Sequence, residues 1–574
     1  MLLILGSWLL LALITTLIGW TAWRWLAARY RTSLELPVEL LSLTGVALLM
    51  VVLAPVSLVA PIGPATQAAT GTLVAALAVA QRRALVVAGR RWLLPPGRFR
   101  AAGWATAALL GLLLLNLLLR IQAGSANHDA QLYYLQTLQW LERYPAVPGL
   151  GNLHGRLAFN SHLFLVTALF RLPTPAGSFY PLPPYLLTLL AVAAARGVGR
   201  ALTATVREPA TWAAAGLGLF FPLLHLFQTW LASPAPDYAL LVWLGLLLLF
   251  YSRFFGSCPV HGAPGRPVIL LLILLSGGAV TVKLSALPVL LLPLHAFWVA
   301  GRHGRRRPWG SALVLASLIF IPWIGRNLVL SGYPVYPLPG LPGLPVDWKV
   351  PAHLVLTEQR LVTNMARLLP PADWYGPGSA SWQQWMPVWW QYQLSQPVVA
   401  ALLLLAAAAP LAVLWQRPRA SDLAAPGWLS AWVVAAAGSL FWLLLAPDYR
   451  FGIGFLLVMA GWPWYSLPTG RRAALLLLAL GVTGGLQLLR DPLYGLRHLP
   501  PNKGAAAVWP VLPPQPATFT KRLADGELVR IARAHGACGA APVPCTFAVQ
   551  PGLERRGKSL AAGFRIRAPR SQRR

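Results

Sequence analysis

The sequence predicts an all-α integral membrane protein of about 14 membrane-spanning helices, and three observations lead to this fold class. Hydrophobic residues make up 57% of the 574 residues, and the mean hydropathy is +0.60. Charged residues account for 11%, whereas soluble domains carry about 25%. Apolar runs such as 107–119, 268–275 and 398–414 recur along the chain.

The formal net charge of +32 does not indicate a nucleic-acid-binding protein. Such proteins concentrate Lys and Arg on one soluble face, but here the arginines form short clusters between apolar runs. Membrane proteins keep loops that are rich in Lys and Arg in the cytoplasm. Membrane topology therefore accounts for the charge, and we expect no nucleic-acid partner.

The first span begins at the N-terminus. Residues 1–20 lack the basic start and the cleavage site of a signal peptide, and Arg24, Arg29 and Arg31 follow them. We therefore predict a retained span whose N-terminus lies outside. The predicted spans, about 12 to 14 in number, lie near 2–22, 37–60, 66–80, 101–119, 178–195, 211–231, 238–252, 267–281, 285–300, 310–328, 398–416, 427–446, 452–468 and 473–489.

Alternation of these spans from an outside N-terminus gives every inside loop a basic cluster, as in 82–100. This pattern agrees with the positive-inside rule. The sequence thus predicts a transmembrane domain over 1–490, with outer loops at 120–177 and 330–397, and an extracytoplasmic tail over 491–574. The basic end of the tail argues against this side, but long tails translocate largely regardless of charge.

The two outer loops differ in character. The first contains an amphipathic run at 131–144, for which we expect a helix. The second contains a chain of Pro and Gly turns at 332–345 and a Trp-rich segment at 382–393. Aromatic side chains concentrate where a membrane meets water, so we expect the Trp-rich segment at the level of the lipid headgroups.

Asp129 is the leading catalytic candidate. The chain has only 15 acidic residues, and a charge near membrane depth is costly and usually functional. Asp129 fits a general base that accepts a proton from a hydroxyl. Its position also suits an N-cap for a helix over 130–142, and the two roles are compatible. Glu142, at the far end of that helix, is interpreted as a solvated surface charge.

Other polar residues of the first outer loop are candidates for substrate binding. His128 fits a residue that orients an acceptor, although a lone His is more often structural. His154, Arg156 and Asn160 lie in LGNLHGRLAFNS (150–161). Such a segment either presents backbone N–H groups and a guanidinium to an anion or packs against its own side chains.

Polar residues also stand at the predicted outer ends of later spans, and we consider them as further substrate-binding residues. They are Asp237, Lys283, Arg326, Asn327, Asp448 and Arg450. Arg presents a rigid donor fork that suits phosphate oxygens. Other roles stay open, namely a helix cap for Asp237, an Asp237–Lys283 pair, an Asp448–Arg450 pair and interfacial anchoring by Arg326.

Cys538 and Cys545 lie in the predicted tail, where an extracytoplasmic location permits a disulfide that closes a small loop. We expect no metal there because these thiols lack further ligands at the right spacing. The sequence has no Walker A loop, no HExxH and no plausible Ser-His-Asp order. The lack of an ATP site disfavours a primary pump, and we expect no cofactor.

The arrangement resembles the GT-C superfamily, which comprises membrane glycosyltransferases that use sugars carried on polyprenyl phosphate. The matching features are an acid and an amphipathic helix in the first outer loop, here Asp129 and 131–144. The segments YPAVPGLGNLHGRLAFNS, SPAPDYA, TVKLS, RNLVLSGYPVYP and APDYRFG are more closely similar to those of a bacterial group of multi-spanning membrane proteins of unassigned function.

The resemblance implies an inverting glycosyltransferase of the bacterial inner membrane with both termini outside. Asp129 would deprotonate an acceptor hydroxyl, and Lys283, Arg326 or Arg450 would stabilise the leaving phosphate. The implied partners are the lipid bilayer, a polyprenyl-phosphate-linked sugar, and a glycan, lipid or protein acceptor. Many GT-C enzymes carry paired acids in this loop, and the absence of an acidic neighbour to Asp129 argues against a divalent metal.

Two other functions stay open. One is a transporter or flippase for a lipid-linked glycan, and the other is a glycan polymerase or ligase. Transporters tend to carry inverted repeats and polar sites at the membrane midplane, whereas the polar candidates here fall on one side. A polymerase or ligase would depend on Arg and His of the outer loops more than on a single acid.

Overall fold

The computed structural model of the chain is mostly helical. It describes residues 1–86, 101–122, 124, 127–203, 230–256, 265–304, 307–376, 380–415, 426–461, 509–513, 515–533 and 537–567. Two parts can be distinguished: a bundle of apolar helices with their connecting loops up to residue 461, and a small strand-containing region over 509–567, here called the C-terminal domain.

The longer helices of the bundle run through apolar sequence, and most of their bounds lie within a few residues of the predicted spans. They are α1 (Leu2–Tyr30), α2 (Val38–Val59), α3 (Pro64–Ala80), α4 (Ala101–Gln122), α8 (Leu182–Thr203), α9 (Pro236–Gly256), α10 (Arg266–Val282), α11 (Leu291–Arg302), α12 (Trp309–Ser331), α15 (Pro397–Trp415), α16 (Pro426–Leu445) and α17 (Tyr449–Gly461). A 3₁₀ segment, Leu284–Leu290, joins α10 to α11.

The loops between these helices contain shorter elements. They are a π-helical turn (Ala130–Tyr134), α5 (Leu135–Arg143), α6 (Leu150–Leu153), a 3₁₀ turn (Gly155–Ala158), α7 (Leu163–Leu169), strands β1 (Leu172–Thr174) and β2 (Gly177–Phe179), α13 (Ala352–Ala366), a 3₁₀ turn (Pro371–Asp373) and α14 (Trp382–Leu394).

Six of the described helical segments are long and apolar enough to cross a membrane. A seventh is added if the pair Trp382–Leu394 and Pro397–Leu411, which is bent by 115°, counts as one span. The other apolar helices are shorter, between 10 and 17 residues. The structure therefore supports several membrane-spanning helices, while the predicted spans 211–231 and 473–489 and the boundary at 490 lie outside the described residues.

The core of the bundle is centred on α9. This helix is apolar all round, and such helices are buried on every face; the side chains of Tyr238, Trp243 and Tyr251 are at most 1% exposed. The Trp243 indole N–H donates to the Leu275 carbonyl oxygen of α10 at 2.9 Å. This bond gives a hydrogen-bond partner to the indole N–H, which is the only polar group of the Trp side chain.

Helices α1 and α2 approach each other through glycines. A Cβ atom at Gly19 would lie 1.9 Å from the Leu41 carbonyl oxygen, and one at Gly45 would lie 1.9 Å from the Thr15 carbonyl oxygen. Small residues let helix backbones meet closely in a membrane, where packing rather than the hydrophobic effect drives association. The two glycines thus set the distance between α1 and α2.

One end of the bundle carries the first and second outer loops, and we call it the polar end. Backbone and side-chain hydrogen bonds join the first outer loop, the second outer loop and the helix ends near residues 57–62, 281, 329 and 447. The predicted outer ends of spans therefore do meet at one end of the structure. The side of the membrane on which this end lies stays a prediction.

The C-terminal domain is built from short strands. They are β3 (Thr518–Arg522), β4 (Leu528–Ala532), β5 (Cys545–Thr546), β6 (Leu553–Arg555) and β7 (Phe564–Ile566). Strand β4 pairs antiparallel with β3 and parallel with β5, and β6 pairs antiparallel with β7. The all-α prediction therefore holds for the bundle apart from the short pair of strands β1 and β2. It is wrong for the C-terminal domain, whose Pro- and Gly-rich sequence has turns and alternation too short to give a clear strand pattern.

The C-terminal domain docks on the first outer loop. The Gln136 side-chain amide donates to the carbonyl oxygens of Gly539 at 3.1 Å and Ala541 at 2.7 Å. The Phe564 N–H donates to the Pro148 carbonyl oxygen at 3.0 Å. The domain therefore bonds directly to the amphipathic helix of the loop and to the segment that follows it.

We predict that Gly45→Ala lowers the thermal midpoint of the detergent-solubilised protein. The added Cβ would collide with backbone rather than with a flexible side chain, and overpacking of this kind costs about 1–3 kcal/mol. The control is Gly71→Ala on α3, where no atom lies within 4 Å of the added Cβ and the helix gains up to about 1 kcal/mol. Equal midpoints for both variants would contradict the close approach of α1 and α2.

Candidate functional site

The helix of the first outer loop begins at His128 rather than after Asp129. Asp129 has helical backbone angles, φ −64° and ψ −30°, and its side chain makes no capping bond. The Asn127 side-chain oxygen instead accepts from the Ala130 N–H at 3.3 Å. Asn127 thus caps the helix, a role that the sequence analysis considered for Asp129. The Asp129 carboxylate makes other contacts.

The Asp129 carboxylate lies between two arginines. Its Oδ1 accepts from Arg156 Nη1 at 3.0 Å, and its Oδ2 accepts from Arg450 Nη1 at 3.2 Å. Arg156 belongs to the 3₁₀ turn of the same loop, whereas Arg450 lies in the first turn of α17. One carboxylate therefore ties the first outer loop to a helix that begins more than 300 residues later in the chain.

Arg450 is held on its other side by Asp448. Arg450 Nη2 lies 2.6 Å from Asp448 Oδ2, and the backbone N–H of Arg450 donates to Asp448 Oδ1 at 3.0 Å. A rigid guanidinium can serve two carboxylates at once because its donors point in fixed directions. The sequence analysis considered an Asp448–Arg450 pair as an alternative role. The structure forms this pair, and Arg450 contacts Asp129 at the same time.

Asp237 and Lys283 form a second ion pair beside the first. The Lys283 ammonium contacts Asp237 Oδ1, and the Tyr134 hydroxyl donates to Asp237 Oδ2 at 3.2 Å. The Lys283 Nζ also lies 3.5 Å from the centre of the Phe451 ring, and the Arg450 guanidinium lies 5.2 Å from the same ring. Both cations therefore lie near the Phe451 ring, which links the two ion pairs.

These six side chains form one site at the polar end, here called the charged cluster. Its members are Asp129, Arg156, Asp237, Lys283, Asp448 and Arg450. Burial raises the pKa of Tyr134 well above its usual value, and Asp237, Tyr133 and Asp129 raise it further. Tyr134 therefore stays a neutral hydrogen-bond donor inside the cluster.

The second outer loop adds a carboxylate that the sequence analysis missed. Glu358 of α13 lies with its Oε2 3.9 Å from Arg156 Nε. Burial raises the pKa of Glu358, and Arg156 partly offsets this. The available signal was the period of α13, since Val355 and Leu361, three residues to either side, are buried. Gly155 permits the approach, because a Cβ there would lie 2.4 Å from Glu358 Oε1.

The two histidines take different places. His154 is 5% exposed, its Nδ1 accepts from the Arg156 N–H at 3.1 Å, and its ring packs on Phe547 of the C-terminal domain. Burial, followed by the charge of Arg156, lowers the pKa of His154 to about 3, so that the ring is neutral. His128 is exposed and makes none of the described ion pairs. His154 thus bonds to the Arg156 backbone, and a role of either histidine in substrate binding stays a prediction.

Asn160, Arg326 and Asn327 lie together in a different place. The Asn160 amide donates to the Trp323 carbonyl oxygen at 2.9 Å, and the Trp323 indole donates back to the Asn160 carbonyl oxygen at 3.0 Å. Arg326 Nη1 donates to the Ser57 hydroxyl at 3.1 Å. No described ion pair joins Arg326 to a member of the charged cluster.

Glu142 departs from its sequence interpretation as a solvated surface charge. Its side chain is 10% exposed, and its Oε2 lies 3.4 Å from Arg171 Nε. The Tyr180 hydroxyl donates to Oε1 at 2.8 Å. Burial raises the pKa of Glu142, with Tyr180 and Arg171 acting in the opposite direction. Arg171 and Tyr180, which come later in the chain, thus contact this end of the helix. The helical pattern alone does not predict these contacts.

Cys538 and Cys545 are joined by a disulfide in the structure. The closed loop contains Gly539 and Ala541, whose carbonyl oxygens accept from Gln136. The disulfide therefore shapes the segment through which the C-terminal domain holds the helix after Asp129.

The charged cluster suits anionic and hydroxyl-bearing ligands. Three cations and three carboxylates pair with one another at the polar end, where a bound anion would meet preoriented positive charge. Among the described residues, no group of three or more His, Cys, Asp or Glu side chains is placed to hold a metal ion. The carboxylates of the cluster instead pair with cations.

The fold and site define a mostly helical protein with several helices able to cross a membrane and a charged cluster at one end. The chain belongs to the family described as a domain of unknown function, DUF8201, whose model matches residues 1–457. That match contains the charged cluster and ends before the C-terminal domain. No curated protein and no solved structure matches the chain.

We predict that Asp237→Ala destabilises the protein by about 3–5 kcal/mol, because it leaves the Lys283 ammonium without its carboxylate in a largely buried place. The double variant Asp237→Asn with Lys283→Met removes both charges and recovers most of the stability. Thermal midpoints in detergent measure both effects. A double variant as unstable as the single one would contradict the pair, and Asp373→Asn, at an exposed carboxylate, is the control.

Proposed function

We propose that the protein is a membrane glycosyltransferase of the GT-C type. It transfers a sugar from a polyprenyl-phosphate carrier to a hydroxyl of a glycan, lipid or protein acceptor at the outer face of a bacterial inner membrane. Asp129 is its general base. This proposal draws on the first-loop acid, its amphipathic helix and the position of the cations around it.

One observation carries the assignment of Asp129. Its carboxylate is free of the capping role, which Asn127 fills, and it is held by Arg156 and Arg450 at 3.0 and 3.2 Å. An acid with a purely local structural role would bond to the first turn of its own helix. Instead, arginines from two separate parts of the chain hold this carboxylate.

The chemical step is a single displacement at the anomeric carbon. The acceptor O–H bond breaks as its proton moves to the Asp129 carboxylate, and the acceptor oxygen forms a bond to the anomeric carbon. The bond between that carbon and the phosphate oxygen breaks, and its electron pair stays on the phosphate. Attack from the face opposite the leaving group inverts the configuration.

Two cations are placed to stabilise the leaving phosphate. Arg450 and Lys283 flank the Phe451 ring, and each is already paired with a carboxylate that fixes its position. Such preoriented charge stabilises developing negative charge without reorganisation at the moment of reaction. Because Arg450 also contacts Asp129, it would bind the leaving phosphate close to the general base.

The surroundings of the cluster favour a substrate that lies at headgroup level. Helix α14 exposes Trp382 and Trp390, as is typical of segments at a membrane interface. The Trp389 indole on the same helix donates to the Pro447 carbonyl oxygen at 2.7 Å, one residue before Asp448. An interfacial helix is thus bonded directly to the segment that carries Asp448 and Arg450.

We predict that Asp129→Asn abolishes transfer. General-base catalysis contributes about 10²–10⁴-fold, so the product should fall at least about 100-fold. A deletion strain is complemented with wild type, Asp129→Asn or the exposed-site control Asp373→Asn. Mass spectrometry then compares surface and lipid-linked glycans at matched membrane expression. One sugar should return with wild type and with the control, and not with Asp129→Asn.

Full restoration by Asp129→Asn would contradict the proposal. In that case, accumulation of a complete lipid-linked glycan in the deletion strain would indicate a transporter or flippase. Deletion that leaves short glycans attached to lipid would point to a polymerase or ligase.

A further inference from the structure

Arg326 is a buried cation without a carboxylate partner among the described residues. It lies in α12 near the polar end and is 6% exposed. Its described bonds run from Nη1 to the Ser57 carbonyl oxygen at 3.3 Å and the Ser57 hydroxyl at 3.1 Å. These neutral acceptors leave the charge uncompensated, whereas buried guanidinium groups in membrane proteins are normally paired.

Other buried polar atoms beside Arg326 also lack partners. Asn327 is 1% exposed and His162 is 2% exposed, and neither Asn327 Nδ2 nor His162 Nε2 has a hydrogen-bond partner. The Asn160 Oδ1 and Ser161 Oγ atoms are likewise buried and unbonded. Native proteins satisfy nearly all buried polar groups, so these unbonded groups beside a buried cation are available to a ligand.

These residues come from two segments that are bonded to each other. Residues 160–162 precede α7 and are fixed to α12 by the reciprocal bonds between Asn160 and Trp323. Trp323 and Asn327 lie on one helix face, four residues apart. The His162 N–H donates to the Thr281 carbonyl oxygen of α10 at 3.0 Å. The group therefore lies on the flank of α10, close to the helix end that carries Lys283.

The chemistry of the group is that of an anion site. A guanidinium, an amide NH₂ and a hydroxyl are donors, and a guanidinium fork matches phosphate oxygens in particular. Burial, followed by the charge of Arg326, lowers the pKa of His162 to about 3. The ring is therefore neutral and adds an N–H donor without a second charge. Asn160 Oδ1 is the one acceptor, and it suits a hydroxyl of the ligand.

We propose that Arg326, Asn327 and His162 form a binding site for a phosphate-bearing ligand, separate from the charged cluster. The ligand is either free phosphate or the phosphate of a lipid. Binding here does not require Asp129 to be catalytic, so the site stands if the transfer reaction is disproved.

The test uses the purified full-length protein in dodecyl maltoside, a detergent that carries no phosphate. One arm adds inorganic phosphate, and the other incorporates undecaprenyl phosphate. The thermal midpoint is measured against probe concentration for wild type, Arg326→Gln, His162→Gln and Arg143→Gln. The last is the charge-matched control, because Arg143 is an exposed arginine of the same outer loop.

We expect at least one probe to raise the midpoint of wild type and of Arg143→Gln. The apparent affinity should fall at least tenfold in Arg326→Gln and measurably in His162→Gln, which keeps the test valid if Arg326→Gln does not fold. A response to inorganic phosphate alone identifies a free phosphate ligand, and a response to undecaprenyl phosphate alone identifies a lipid ligand. The site is disproved if neither probe acts on wild type, or if both substituted proteins respond as wild type does.

Discussion

The Asp129 carboxylate, shared between Arg156 and Arg450, is the interaction on which the polar end of the molecule depends. It joins the first outer loop to α17, and Arg450 extends the connection to Asp448 and, across Phe451, to Lys283 and Asp237. In a setting where an unpaired charge is strongly destabilising, each member of this chain fixes the position of the next. The cluster is therefore both a structural junction and the place where a bound anion would find preoriented charge.

Two further layers hold this junction. On one side the C-terminal domain bonds to the helix after Asp129 through Gly539 and Ala541, in a loop closed by the Cys538–Cys545 disulfide. On the other side α13 brings Glu358 to Arg156, and the Trp389 indole of α14 bonds beside Asp448. Parts of the chain outside the predicted spans thus support the site. The uncompensated Arg326 differs, because nothing in the described protein balances its charge.

Much of the bundle could be predicted from the sequence. The bounds of α2, α12 and α16 lie within a few residues of the predicted spans, because long apolar segments have no other stable arrangement in lipid than a helix with internal hydrogen bonds. The same reasoning identified Asp129, Asp237, Lys283, Asp448 and Arg450 as charges at helix ends. It missed Glu358 and misread Glu142, since both lie in loops whose folding back depends on distant contacts.

The sequence by itself determined that the chain is helical and apolar, and which charges stand at the ends of its helices, because these properties follow from hydropathy and local spacing. Only the tertiary structure decided which charges meet. The choice between cap and ion pair at Asp129, the pairing of Lys283 with Asp237, and the isolation of Arg326 from every described carboxylate all depend on side chains far apart in the chain. Such pairings depend on how helices pack against one another. The periodicity of a sequence does not show which helices will be neighbours.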